Sequence, residues 1–163
     1  MSDNTTDGKN LLSGLLLKAI AIRAAQRAPM QLLRHCEVSP ERGLEGDSRG
    51  KPGSRQVTVL SEESWQAACD ELGQTLPWFE RRANLLISGY EFSAADVGRI
   101  LRIGEVELRI SRETMPCRRM EEVCTGLSQA LGPRWRGGVC CRVIRGGQIR
   151  VGDTVELLAA ESL

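Results

Sequence analysis

The sequence predicts a mainly β chain whose short strands close into a barrel, with a few helices at its periphery. Three observations carry this. Six or seven short segments either alternate apolar and polar residues or run as brief apolar stretches, as half-buried and buried strands do. Glycine-rich turns such as Gly104-Glu105, Gly146-Gly147 and Gly152-Asp153 separate the later segments. Only two stretches switch to a helical period. So many short strands leave exposed edges unless the sheet curls and closes, and closure removes the edges.

Residues 1–10 are polar and read as a flexible N-terminal tail, which leaves residues 11–163 as a single domain. Leu11 to Ile22 is apolar, but Gly14 and Lys18 interrupt it and it is too short to span a bilayer, so Leu15–Ile22 reads as a first buried strand. Val38 to Ser54 holds Pro40, Gly43, Gly46, Gly50, Pro52 and Gly53 among charges and reads as one long loop. Loops of that length in a small domain are more often functional than idle. Arg55 to Leu60 alternates as a half-buried strand. Ser61 is a helix N-cap with Glu62 and Glu63 in the first turn, Trp65, Ala68, Cys69 and Leu72 form the apolar stripe, and Gly73 stands at the C-terminal stop. Asn84 to Gly89 is a short buried strand ending in a turn, and Arg99–Ile103 with Val106–Ile110 form a hairpin. Met120, Val123, Cys124, Leu127 and Leu131 then fall at helical spacing until Gly132-Pro133 halts the run. Strands over Val139–Ile144, Ile149–Val151 and Thr154–Leu158 complete the chain.

The chain has 163 residues, 41% of them apolar and 26% charged, which suits one packed domain and excludes wholesale disorder. A net charge of +1 argues against a bulk nucleic-acid binder or a polybasic membrane protein. Of the 22 basic residues 19 are arginine and three are lysine. That bias suits forked recognition of carboxylates and phosphates, and GC-rich coding would produce it equally well. Six cysteines without an export signal point to reduced thiols in the cytoplasm rather than a disulfide framework. With no Cys-x-x-Cys pair and a single His35, a structural zinc site is not expected.

Cys117 is the first chemical candidate. It follows Met115-Pro116 where a strand pattern gives way to a helical one, so it falls in the first turn of a helix, with Arg112, Arg118 and Arg119 nearby in sequence. The helix dipole and these cations favour the thiolate, the form that binds soft metals or carries sulfur. The competing reading is a small buried hydrophobe. Cys124 reads as part of the apolar stripe with Met120 and Leu127, adjacent Cys140 and Cys141 point to opposite sides of a strand, and His35 reads as a solvated loop residue. In the long loop Asp47 either pairs with an arginine or caps a turn. Arg81-Arg82-Ala83-Asn84 sets two guanidinium groups and an amide before a buried strand, suited to a phosphate and a polar heterocycle, or simply ends a helix as a basic turn. Arg134 to Arg150 holds five arginines and no acid, which would meet an anionic ligand or RNA, though only Trp135 supplies a stacking ring.

In order, Gly43-Leu44-Glu45-Gly46-Asp47, Arg55-Gln56-Val57-Thr58, Arg82-Ala83-Asn84-Leu85 with Gly89, Pro116-Cys117, Gly137-Gly138, and Val143-Ile144-Arg145-Gly146-Gly147-Gln148-Ile149 with Gly152-Asp153 resemble the MOSC domain, the family named for the C-terminal domain of molybdenum cofactor sulfurases. The likeness runs from about Leu15 to Leu158 and is to a stand-alone bacterial member. It implies a pyruvate-kinase-barrel-like fold, with Cys117 as the molybdenum ligand and Arg55, Arg82 and Asn84 as the polar residues that hold a molybdopterin cofactor. Asp47 would orient one of the arginines. Many stand-alone members read Gly-Glu-Asn where this chain has Arg82-Ala83-Asn84. The pyridoxal-phosphate desulfurase domain of the larger sulfurases has no counterpart, so no pyridoxal phosphate site is expected within the chain.

Two functions from different classes follow from the resemblance. One is a molybdenum-dependent reductase of small N-hydroxylated compounds, supplied with electrons by a separate redox protein. The other is a carrier that holds a persulfide or the cofactor on Cys117 and passes it to another protein, such as a partner in cofactor biosynthesis. No membrane partner is expected. An arginine-rich RNA-binding barrel is the weakest alternative.

Overall fold

The longest strand is also the one that closes the molecule. In the computed structural model, which describes residues 10–160, β1 (Asn10–Ile22) turns Leu15, Leu17 and Ile20 inward and leaves Leu16 and Lys18 in solvent. Asn10, assigned to the tail by its polarity, opens this strand, and residues 1–9 lie outside the described residues. Register shifts at Asn10/Leu12, Leu12/Leu15 and Leu17/Ala19 bend β1, so that its first half pairs with β11 (Thr154–Leu158) and its second with β6 (Leu85–Ser88). Leu16 sits at the joint, paired with Thr154 on one side and Ser88 on the other. Bulges of this kind supply the local bend that a small barrel needs.

The remaining barrel strands are β5 (Val57–Ser61), β7 (Ile100–Ile103), β8 (Val106–Glu113) and β9 (Val139–Arg145). The closed order is β1-β11-β7-β8-β9-β5-β6 and back to β1, with β2 (Gln31–Leu33) extending the far end of β1. The fold is therefore mainly β with a closed seven-stranded barrel. Its interior is filled by Leu17, Val57, Ile87, Leu101, Leu108, Ile110, Val139 and Val155, all at most 1% exposed. Truncating such a residue to alanine costs about 2–5 kcal/mol.

β5 and β6 run parallel, and a parallel pair needs a crossover. α1 (Glu62–Leu72) begins that crossover where the sequence places it, with the Ser61 hydroxyl accepting from the Ser64 N–H and Gly73 left-handed at φ 63°. Outside the barrel, α1 buries Trp65, Ala68 and Cys69 with Leu86, Met120, Leu127 and Leu131 in a second core.

Three expectations are corrected. The stretch 38–54 is not loop throughout: β3 (His35–Ser39) reaches into it, and β4 (Gly43–Leu44) pairs with β3 and, through it, with β10 (Gly147–Arg150). Val38 and Leu44 are buried as direct partners, and the turn between their strands hid the pairing. His35 accordingly lies exposed on a strand and not in a loop. The helical run at 120–131 divides into α2 (Arg118–Val123) and α3 (Leu127–Leu131), because Gly126 takes φ 91° at the junction. Among the described residues eleven strands stand where six or seven were expected: β2, β3 and β4 have no counterpart in the sequence reading, β2 and β4 because three and two residues show no period and β3 because it runs into the stretch read as loop. No helix among the described residues is long and apolar enough to cross a membrane.

Candidate functional site

On one side of the barrel the end of β1, the loop after β4, the start of β5, the turn before β6, the segment after β8 and the turn before β9 meet around a cavity of about 100 Å³ that opens to solvent. Asp47, Arg55, Arg82, Asn84 and Cys117, the five residues singled out in the sequence, all line it. Arg23, Arg49, Arg81, Arg119, Thr58 and Thr114 join them.

Cys117 is exposed and is the N-cap residue of α2, one position before the first turn, with φ −123° and ψ 176°. Its approach is held by Arg81, which is 6% exposed. The Arg81 guanidinium donates to the carbonyls of Gly137 and Thr114, each at 3.0 Å, and of Met115 at 3.3 Å. Burial lowers the Arg81 pKa. Gly137 belongs to this clamp, since a Cβ there would lie 2.5 Å from the Thr114 carbonyl oxygen.

Arg82 points the other way because its backbone is left-handed (φ 65°, ψ 31°), a conformation uncommon outside glycine. Its Nη2 donates to the Ala28 carbonyl at 2.7 Å, while its buried Nε has no partner. The Arg82 pKa is lowered by burial first, then by Arg119 and, more weakly, Arg49. That of Arg23 is lowered by burial, Arg82, Arg49 and Arg119, against which Asp47 acts in the opposite sense. Among the described residues none of these four arginines forms an ion pair. Four mutually repelling guanidinium groups around one cavity are arranged to receive an anion.

Asp47 works through the main chain. Its Oδ1 accepts from the Arg23 N–H at 3.1 Å and its Oδ2 from the Arg49 N–H at 3.3 Å, so it holds two arginines by their backbones. Asn84 is buried, and its carboxamide ties three strands: Oδ1 accepts from Thr58 N–H at 3.0 Å, and Nδ2 donates to the Ala21 carbonyl at 3.1 Å. Arg55 stands exposed at the mouth.

The other cysteines do not line this cavity. Cys36, Cys69, Cys140 and Cys141 are buried, Cys124 packs partly against the core around Met120 and Leu127, and Cys141 and Cys140 face the barrel interior and the Thr114 hydroxyl respectively. No group of three or more metal-ligating side chains is found among the described residues. Of the arginine-rich stretch 134–150, Arg136 is bound to Glu71 at 2.6 Å. Sequence reading missed Arg23 and Arg49. A guanidinium directly continuing a buried strand was the available signal for Arg23, whereas nothing local marks Arg49.

The MOSC domain family profile matches residues 39–156. The chain belongs to the MOSC domain family. Solved structures agree on the fold. The YUAD protein from Bacillus subtilis superposes with a TM-score of 0.75 at 16% identity, covering 92% of this chain and 100% of that one. YiiM from Escherichia coli gives 0.67 at 20% identity over 91% of this chain and 72% of its own. YiiM from Geobacillus stearothermophilus gives 0.71 at 14%, covering 90% and 76%. A search of the curated proteins finds no match. The MOSC family is associated with the molybdenum cofactor, and the residues of this MOSC domain fit such a group: an exposed soft sulfur donor faces a cationic cavity in which a buried guanidinium Nε lacks a partner.

Proposed function

We propose that this MOSC domain binds a molybdenum cofactor and reduces small N-hydroxylated compounds, with Cys117 as the metal ligand. The observation that supports it is the meeting of exposed Cys117 with four arginines free of ion pairs in one cavity, where the Arg82 Nε is left without an acceptor. When bound, the cofactor supplies the two-electron redox chemistry. The chain's own residues bind and orient. Arg23, Arg49, Arg82 and Arg119 hold the anionic part of the ligand, and the Arg82 Nε gains the acceptor it lacks. Arg81 fixes the main chain ahead of Cys117 by occupying the Thr114 and Met115 carbonyls. Asp47 and Asn84 keep the walls in register through backbone groups. Reduction of an N-hydroxyl compound breaks the N–O bond, consumes two electrons and two protons and releases water, so a separate electron-donor protein is required.

The deciding measurement is molybdenum and pterin content of the chain made in a cofactor-competent host, beside Cys117→Ser. Molybdenum near one per chain, lost in the variant, supports the reading, and turnover of N-hydroxylated substrates then tests the reaction. A folded, freshly purified chain with neither molybdenum nor pterin overturns it. One observation favours a second reading: the Cys117 thiol is exposed and has no hydrogen-bond partner among the described residues, as a cytoplasmic carrier of sulfane sulfur or of the cofactor requires. Persulfide detected on Cys117 in a molybdenum-free preparation would support the carrier.

A further inference from the structure

The outer face of the barrel beside the cavity mouth carries arginines that the site does not use. Arg109 on β8 and Arg142 on β9 are direct cross-strand partners. Their neighbours Leu108, Ile110, Cys141 and Val143 are buried in the barrel core, so the alternation turns both arginines outward. Nearer the cavity, Arg112 stands opposite Cys140, whose Sγ lies 3.3 Å from the Thr114 hydroxyl in the cavity wall. The Ser111 hydroxyl donates to the Ser54 carbonyl, which brings the chain at Arg55 over the same face. Arg55, Arg112 and Arg142 are exposed, and none forms an ion pair with a described residue. Further along the chain that leads from β8 to Cys117, Met115 is 64% exposed.

Arg55, Arg112 and Arg142 thus present positive charge with no described counter-charge, which an acidic surface complements. The side chains on this face also discriminate between nucleic-acid and protein partners. Single-stranded nucleic acid is held by stacking on exposed rings, and every Phe, Trp and Tyr side chain among the described residues is buried or half-buried, Trp135 and Tyr90 being packed against the barrel core. An apolar contact with a charged margin is the pattern of a protein interface, and small electrostatic interfaces suit transient electron transfer.

We propose that Arg112 and Arg142, flanked by Arg55 and supplemented by Met115, form the docking surface for an acidic electron-donor protein. The proposal rests on the reductase reading, because a carrier needs no electron donor. Docking on this face brings the donor against the segment that carries Cys117.

The test uses the full chain with an acidic plant-type [2Fe–2S] ferredoxin as probe, titrated calorimetrically at low and at physiological ionic strength. Wild type binds at low salt and weakens as salt rises. The double variant Arg112→Glu/Arg142→Glu binds at least about tenfold more weakly, with a thermal midpoint no lower than that of wild type. Arg112→Gln/Arg142→Gln falls between the two and stands in should the charge reversal impair folding. Absence of ferredoxin binding by wild type at low salt overturns the proposal, as does undiminished binding by both variants. Tighter binding of an oligouridylate RNA through the same arginines overturns it in favour of a nucleic-acid surface. Molybdenum content measured on the same preparations tests the reductase reading separately, since its absence does not alter whether the arginine face binds the probe.

Discussion

The guanidinium of Arg81 on one wall of the cavity reaches the main-chain carbonyl of Thr114 on the other, 33 positions away in sequence, at 3.0 Å. This bond, with those to Met115 and Gly137, makes a buried cation the fastening for the segment that delivers Cys117. Arg81→Met leaves the buried Gly137 and Thr114 carbonyls without this donor and is expected to cost about 2–6 kcal/mol, since each buried group left unpaired costs about 1–3 kcal/mol. Urea unfolding checks the loss. Arg81→Lys, with a compact ammonium in place of the planar fork, recovers only part of it.

Asp47 separates positioning from field strength. Asp47→Ala removes the one carboxylate in the cavity lining, so electrostatics alone predicts tighter binding of inorganic pyrophosphate. The same change frees the Arg23 and Arg49 amides, and if their placement governs recognition, binding weakens. The expected outcome is weaker binding by about three- to tenfold, the equivalent of losing about one hydrogen bond. Isothermal titration at constant ionic strength decides, and tighter binding would assign Asp47 no positioning role.

Thiol reactivity ranks the six cysteines. Cys117 is exposed and Cys124 half-buried, whereas Cys36, Cys69, Cys140 and Cys141 are buried. Burial also pushes the Cys36, Cys69 and Cys141 thiols up. Iodoacetamide at pH 8 followed by peptide mass spectrometry is therefore expected to label Cys117 first, Cys124 more slowly, and the others only on unfolding. Early labelling of Cys140 would contradict the packing around Thr114.

Tyr90 is the only tyrosine, so absorbance near 295 nm reports its ionisation alone. Burial, its hydrogen bond to Asp96 at 2.7 Å and the Asp96 charge push its pKa up to about 12. A raised pKa on an acidic group means that the neutral phenol is the form favoured by folding. This contribution is fully present below the unfolded value of about 10 and is lost as pH rises from there through about 12. Native protein should titrate near the higher value and urea-unfolded protein near the lower. Asp96→Asn should bring the native midpoint down.

What the sequence determined by itself is what short-range chemistry determines. Ser61 and Gly73 bounded α1 because caps act within one turn, and the alternation over Arg55–Leu60 and Val139–Ile144 exposed two barrel strands because side-chain direction has a period of two. Pro116-Cys117, at a change of period, placed this cysteine at a helix start, while its exposure and its N-cap position came from the tertiary structure. Tertiary structure decided the rest. Closure depends on Leu16 meeting both Thr154 and Ser88, a choice made by bulges that no hydrophobic pattern displays. β4 forms because β3 is beside it, and Gly126 splits the last helical run where α3 packs on α1 and α2 on α3. Arg23 and Arg49 enter the site because Asp47 accepts from both of their amides, a bond across 24 residues in one case. Such contacts form only after the chain has bent back on itself, so their record lies in the packed barrel and not in the order of the residues.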